Sequence, residues 1–416
     1  MEKQPWRERQ ISWILIVGLI AIGCILRLIW AEDMKWKFDE IWMFETARAV
    51  VTHHQSFPLL GMRSSAGVLN PGASVWCFIL LGFVSPDPVS MVRWVAFLNI
   101  AAIGLFFWFF STRIEPRQKM IWLWGLAIAA VNPLSIAFSR KIWAQNILAP
   151  FCFFIFLGHW YRFRNWGAFL WGFFGAFVGQ IHMSGFFFQA GLLLWTIGHD
   201  YQQKTLRKIA WTAWFFGTSI GIAFLIPWIR YLLLEAGQSV SESIKRSLVP
   251  EFYLQWLTLG WGLNLEHDLG KAFWQRFLAE PRFFGYPSYG MAIAHLFLAV
   301  CALSALFFWL IRRLRGKSID RFPELTFYIS AGAIATGALM LLSGLRVPVY
   351  YLNVLFPFAQ IWIAFLYRSQ PKLLFAIAIA QLFISCVFLI FVHQNGGVSD
   401  GNYGTAFHLQ NYKVKD

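Results

Sequence analysis

The amino-acid sequence predicts an all-α polytopic membrane protein with about eleven transmembrane helices, and three observations carry that prediction. Apolar runs of roughly 20 residues recur along almost the whole chain, the length an α-helix needs to cross a hydrocarbon core of about 30 Å. Charge is scarce: 13% of the 416 residues are charged and 58% are hydrophobic, with a mean hydropathy of +0.55, whereas a soluble domain is about a quarter charged. The net charge of +15 gathers in short gaps between the apolar runs, which is the topology signal of a membrane protein. A pI near 9.8 would suggest nucleic acid in a soluble chain; this placement argues against such a partner.

The N-terminus carries Lys3, Arg7 and Arg9 before the run 11–31. That run is too long for a signal-peptide core and has no small-residue cleavage site, so it reads as a retained first helix. Further runs follow at 73–84, 89–111, 120–138, 143–161, 166–181, 184–200, 209–230, 290–311, 324–343, 351–367 and 373–393. The run 73–84 falls short of the roughly 17 residues a crossing needs and is bracketed by Pro71-Gly72 and Pro86-Asp87-Pro88. If it stays at the outer surface, as a re-entrant or juxtamembrane segment, the basic gaps 112–119, 162–165, 201–208, 312–321 and 368–372 all join the basic N-terminus on the cytoplasmic side. If it crosses, all five flip outward. The prediction is therefore N-terminus in and C-terminus out. It divides the chain into a membrane module 1–230 with an outer loop 32–88, an extracytoplasmic loop 231–289, a second membrane module 290–393 and an extracytoplasmic tail 394–416.

The five cysteines all fall inside apolar runs, without the spacing of a disulfide framework or a zinc site. No P-loop, Gly-rich nucleotide loop or Ser-His-Asp signature is present. His53-His54 and Glu266-His267-Asp268 lack ligand spacing and read as solvated loop residues.

Polar residues concentrate on the outer face. Asp39 and Glu40 are adjacent carboxylates in a chain with only 20 acidic residues. Phe38, Ile41, Phe44, Ala47 and Val51 recur at helical spacing, so 40–53 reads as an amphipathic helix lying on the membrane. Asp39 is then either its N-cap, with Glu40 favoured by the helix dipole, or a positioned base. Arg140 and Lys141 stand on the outer side against the positive-inside rule, as snorkelling cations or as partners for an anion. Gln180 and His182 close the fifth span, as structural polar groups or as substrate contacts. Arg346 occupies a short outer turn just before Tyr350 and Tyr351. It either snorkels or binds a lipid-linked phosphate, with the tyrosine hydroxyls helping.

These residues resemble the GT-C superfamily of polyprenyl-phosphate-sugar glycosyltransferases, nearest to its protein O-mannosyltransferase and aminoarabinose-transferase branch. The likeness rests on Phe38-Asp39-Glu40 after the first span, Thr46-Ala47-Arg48, Asn70-Pro71, Arg93, Ser139-Arg140, and Arg346 followed by Tyr350-Tyr351-Leu352 and Pro357. It implies a GT-C fold and an inverting transfer from a polyprenyl-monophosphate sugar to an extracytoplasmic acceptor hydroxyl at the outer face of a plasma or inner membrane. Asp39 would be the base and Glu40 its orienting neighbour. Arg346, Arg140, Lys141, Tyr350 and Tyr351 would hold the donor phosphate, and His182, Gln180 and Arg93 would contact substrate. The family's aspartate at the outer end of the third span is replaced here by Ser139-Arg140-Lys141, which leaves a divalent metal open; no other cofactor is implied. The resemblance predicts that Asp39, Glu40, Arg140, His182 and Arg346 converge on one outward cavity beside a lipid groove. The competing reading is a secondary transporter or lipid flippase, which would place polar groups at mid-membrane in broken helices. A non-catalytic scaffold would leave the outward clustering of charge unexplained.

Overall fold

The computed structural model describes residues 6–64, 68–234, 250–314, 322–410 and 412. The segment 235–249 of the large loop, and the basic side chains of 312–321 and of the N-terminus, lie outside the described residues. Every apolar run becomes helix, but not every run becomes one helix. The first part of the chain forms α1 (Trp6–Leu28), α2 (Phe38–Thr52), α3 (Ala73–Gly82), α4 (Pro88–Arg113), α5 (Pro116–Val131), α6 (Pro133–Phe138), α7 (Leu148–Trp160), α8 (Asn165–Ile181), α9 (Ser184–Gln202), α10 (Trp211–Ala223) and α11 (Ile226–Leu234). Beyond it come Glu251–Trp261, Glu266–Leu278, Gly290–Leu314, an interrupted helix over Pro323–Leu342, Phe358–Leu366 and Pro371–Gln394.

Among the described residues, five helices are long and apolar enough to cross a membrane: Gln10–Leu28, Pro88–Arg113, Gly290–Ile311, Pro323–Leu342 and Pro371–Gln394. Two bent pairs bring the number to seven, α10 with α11 (59°) and Val349–Leu355 with Phe358–Leu366 (80°). The expectation of about eleven spans treats each apolar run as one straight rod, and local stop signals break several of them. The run 120–138 divides where Asn132 caps α6, its Oδ1 accepting from the Ser135 amide at 3.0 Å, with Pro133 at the first helical position. The run 351–367 divides at Phe356-Pro357, and 143–161 opens as a 3-10 turn, Ala144–Ile147. The ten residues of α3 extend about 15 Å, half a bilayer core. The helix folds back on α2, where a Cβ at Gly82 would lie 3.2 Å from Val51.

In a lipid-like interior helices associate through close fit and internal polar bonds, since apolar burial does not distinguish protein from lipid. Helices α8 and α10 meet on glycines: a Cβ at Gly172 would sit 2.2 Å from the Trp214 carbonyl oxygen, and one at Gly217 2.3 Å from that of Phe169. Buried His159 bonds Tyr328 Oη at 2.8 Å and Thr196 Oγ1 at 2.9 Å, joining α7, α9 and the helix at 323–342. Arg162 and Asp200 add a bidentate ion pair at 2.8 and 3.0 Å.

The C-terminal residues fold onto the segment between α1 and α2. A small hairpin pairs Gly397–Val398 with Gly404–Thr405. From it, the Phe407 amide donates to the Met34 carbonyl (3.1 Å), Tyr403 Oη to that of Asp33 (2.7 Å) and Gln410 Nε2 to that of Trp36 (2.9 Å). The fully buried Trp36 ring packs edge-on against Phe44, Phe407 and Tyr412.

Candidate active site

The site is built on the first turn of α2. The helix begins at Phe38 with Lys37 as its N-cap, and Glu40 reaches back so that Oε2 accepts the Lys37 amide at 3.1 Å. Asp39 is therefore not the cap: Glu40 does the capping work from three residues inside. This frees the Asp39 carboxylate, which is half-buried and accepts no hydrogen bond among the described residues. The buried face of α2 is Glu40, Met43, Phe44, Ala47 and Val50, and Phe38 is 72% exposed. The apolar face expected at 38, 41, 44, 47 and 51 is thus rotated, because Glu40 and Met43 turn toward the protein.

Beneath this turn lies a cluster of buried charge. Lys141 Nζ pairs with Asp268 Oδ1 at 3.0 Å. Asn402 of the C-terminal segment donates to the same oxygen at 3.3 Å and accepts Lys35 Nζ at 3.2 Å. Both ammonium groups lie over Trp143, Lys35 at 4.1 Å and Lys141 at 5.2 Å from the ring centre. Asp268 is 2% exposed, which corrects its reading as a solvated loop residue: its helix turns inward and finds a cation. Glu266 and His267 beside it are exposed, as are His53 and His54.

Burial raises the Asp39 carboxyl, and the charge of Lys35 opposes that rise. Burial pushes Glu40 up to about 7, against the pull of Lys35 and Lys141. Glu40 Oε1 has no hydrogen-bond partner among the described residues. Lys35 is lowered to about 8 by burial and by Lys141, with Glu40 and Asp268 pulling the other way. Burial disfavours the ionised Asp268 carboxyl, yet Lys141 and Lys35 outweigh it and hold the group below its ordinary range.

Trp143 links this cluster to the later half of the chain. Its ring meets Tyr350 edge-on at 5.6 Å, and Tyr350 adjoins Tyr351, which packs against His182 at 4.7 Å. His182 Nδ1 bonds Ser184 Oγ at 2.8 Å, and Tyr351 Oη donates to Met183 Sδ at 3.1 Å. The charges of Asp39 and Arg346 act on Tyr350 in opposite senses, and Arg346 is exposed. Asp39, Glu40, Lys141, Tyr350, Tyr351, His182 and Arg346 thus belong to one connected region.

Three predicted site residues do not join it. Arg140 donates its guanidinium to the carbonyls of Leu26 (3.2 Å), Ile29 and Trp30 (2.5 Å), satisfying the open C-terminal end of α1. Gln180 Nε2 donates to the Ala176 and Gly221 carbonyls at 3.0 and 2.7 Å, tying α8 to α10. Arg93 is exposed on α4. Lys35, Trp143 and Asn402 were not singled out from the sequence, and Asp268 was read there only as a solvated loop residue; only Lys35, four positions before Asp39, stood close enough to suggest itself. No group of three or more His, Cys, Asp or Glu is arranged to hold a metal ion among the described residues. A separate cavity within the bundle is lined by Arg27, Asn99, Ser135, Gln145, Asn146 and Asn353.

No family model matches the sequence, and no curated protein matches it. Among solved structures the chain is similar to the Archaeoglobus fulgidus oligosaccharyltransferase in its apo form, at 13% identity and a TM-score of 0.46. The match covers 96% of this chain and spans 57% of the length of that one.

Proposed function

We propose that this integral membrane protein is an inverting glycosyltransferase of the GT-C type, taking its sugar from a polyprenyl-monophosphate donor. One observation carries the reading: Asp39 is a half-buried carboxylate with no hydrogen-bond partner among the described residues, and its charge and that of the exposed Arg346 both act on Tyr350. A base needs a free carboxylate whose basicity is raised, and burial raises that of Asp39. Asp39 accepts the proton of an acceptor hydroxyl as the oxygen attacks the anomeric carbon. The carbon–oxygen bond to phosphate breaks on the opposite face, inverting the centre, and the departing phosphate gains a negative charge. In this reading Arg346 stabilises that charge, with Tyr350 and Tyr351 helping. Phosphate leaves without a proton, so no second carboxylic acid is required, unlike glycoside hydrolysis. Glu40 acts by holding the first turn of α2. Arg140 and Lys141 are occupied by the α1 carbonyls and by Asp268, so the phosphate role falls to Arg346.

The test is mass spectrometry of the lipid that co-purifies with the protein, followed by transfer from that lipid. Wild type should retain a sugar-bearing polyprenyl phosphate and Arg346→Ala should lose it. Asp39→Asn should keep the lipid and fail to transfer the sugar; undiminished transfer by Asp39→Asn would falsify the assignment. The two bent helix pairs and the amide-lined cavity in the bundle favour a second reading, a transporter or flippase. Movement of the co-purified lipid across a vesicle membrane, with its mass unchanged, would select it.

A further inference from the structure

Two buried guanidinium groups share the end of α1, and neither meets a carboxylate. Arg27 and Arg140 are each 2% exposed. Arg27 Nη1 donates to the Gly23 and Ala130 carbonyls at 2.7 and 2.5 Å, and Arg140 takes the carbonyls of Leu26, Ile29 and Trp30. Neither forms a salt bridge among the described residues, and the Nε of each has no hydrogen-bond partner there. What they meet instead are the C-terminal ends of α1 and α5, each worth about half a negative charge. Two such ends balance one guanidinium. Roughly one positive charge is left over, in a place where bulk water cannot solvate it.

The cavity within the bundle lies against Arg27. Its volume is about 30 Å³, above the roughly 10–15 Å³ that admits one water-sized guest. None of its lining residues is acidic. Its walls are braced by amides: Asn99 Nδ2 donates to the Val95 and Asn146 carbonyls at 2.9 and 2.8 Å, and Asn353 Nδ2 to the Gln145 carbonyl at 3.3 Å and Asn146 Oδ1 at 3.1 Å. Three donors of the lining are left over. Arg27 Nη2, Ser135 Oγ and Gln145 Nε2 make no hydrogen bond among the described residues.

We infer that this cavity binds a monovalent anion of chloride size, held by Arg27 together with Ser135 and Gln145. A single negative charge matches the one left over at the end of α1, and the free groups of the three side chains are donors suited to it. Asn99 Oδ1 and Asn353 Oδ1 accept from a water that shares the cavity. Water alone would satisfy the hydrogen bonds and leave the charge unbalanced. The site stands apart from Asp39, so the inference holds under either reading of the function.

The experiment is equilibrium dialysis of the full chain in detergent against radioactive chloride, with gluconate, a much larger anion, keeping the ionic strength constant. Wild type should bind chloride saturably, and its thermal midpoint should rise as chloride replaces gluconate, as for any ligand of the folded state. Arg27→Met should bind none. Gln145→Leu should weaken binding about tenfold, the loss expected for one hydrogen bond to a charged partner. No bound chloride in wild type, the result of a cavity filled by water only, overturns the inference. Undiminished binding by Arg27→Met puts the ion elsewhere and overturns it as well. If Arg27→Met does not fold, undiminished binding by the double variant Ser135→Ala with Gln145→Leu overturns it instead.

Discussion

Lys141 and Asp268, 127 positions apart in the chain, form an ion pair 3.0 Å long in which neither side chain is more than 3% exposed. It joins the segment after α6 to the helix Glu266–Leu278, and it carries the polar cluster under α2. Removing one partner leaves the other buried and uncompensated, which costs about 3–5 kcal/mol. Asp268→Asn should therefore lower the thermal midpoint in detergent sharply. The double variant Lys141→Met with Asp268→Leu should recover most of that loss, since a well-packed apolar pair replaces buried charge at little cost. Additive losses in the double variant would mean that the two side chains do not depend on each other.

Glu40 makes stability depend on pH in a stated direction. Its folded value is raised to about 7 from 4.5. A raised carboxyl favours the folded state while it is protonated, so its contribution is full below about pH 4.5 and is lost as pH rises through about 7. Glu40→Gln cannot titrate. It should unfold at a temperature close to wild type near pH 4.5 and gain on wild type by pH 8; the check is thermal unfolding at both values. An equal difference at both would show that Glu40 ionises in the fold as freely as in the unfolded chain.

Asp33 clasps two histidines of the C-terminal part: Oδ2 accepts His393 Nδ1 at 2.8 Å, and Oδ1 lies 3.0 Å from His408 Nδ1. His393 also stacks on Trp30 with ring centres 4.2 Å apart. Asp33→Asn removes the charge from both contacts, of which the hydrogen bond to His393 is worth roughly 1.5–3 kcal/mol. Hydrogen exchange at the amides of Ala406 and Phe407 should accelerate about tenfold or more, while amides in α5 stay protected. Unchanged exchange over 397–410 would show that the hairpin holds without the clasp.

Arg140 and Arg346 look alike in the sequence, and the structure separates them. Arg140→Ala strands the carbonyls of Leu26, Ile29 and Trp30 and should cost about 2–4 kcal/mol of stability. Arg346 is exposed, so Arg346→Ala should leave thermal unfolding within about 0.5 kcal/mol of wild type and weaken retention of the co-purified lipid. Thermal unfolding and lipid mass spectrometry on the two variants give opposite patterns if the assignment holds.

Much of this protein could be read along the chain because the signals are local. Apolar runs separated by basic gaps identified the helices, and twelve apolar residues between prolines marked the short one, α3. The acidic pair after the first helix placed α2 and its first turn to within two residues. Tertiary structure decided the rest, for a physical reason in each case. Whether an apolar run crosses as one rod depends on whether neighbours satisfy the backbone groups freed at a break, as Asn132 does between α5 and α6. Which cation meets a carboxylate is settled by packing and not by proximity in sequence: Lys141 finds Asp268, and Arg140 beside it finds the carbonyls at the end of α1. A residue's type and its place in a membrane topology fix how costly its charge is to bury. Only the assembled fold determines what partner stands there to meet it, and here much of that partnership comes from residues 401–410.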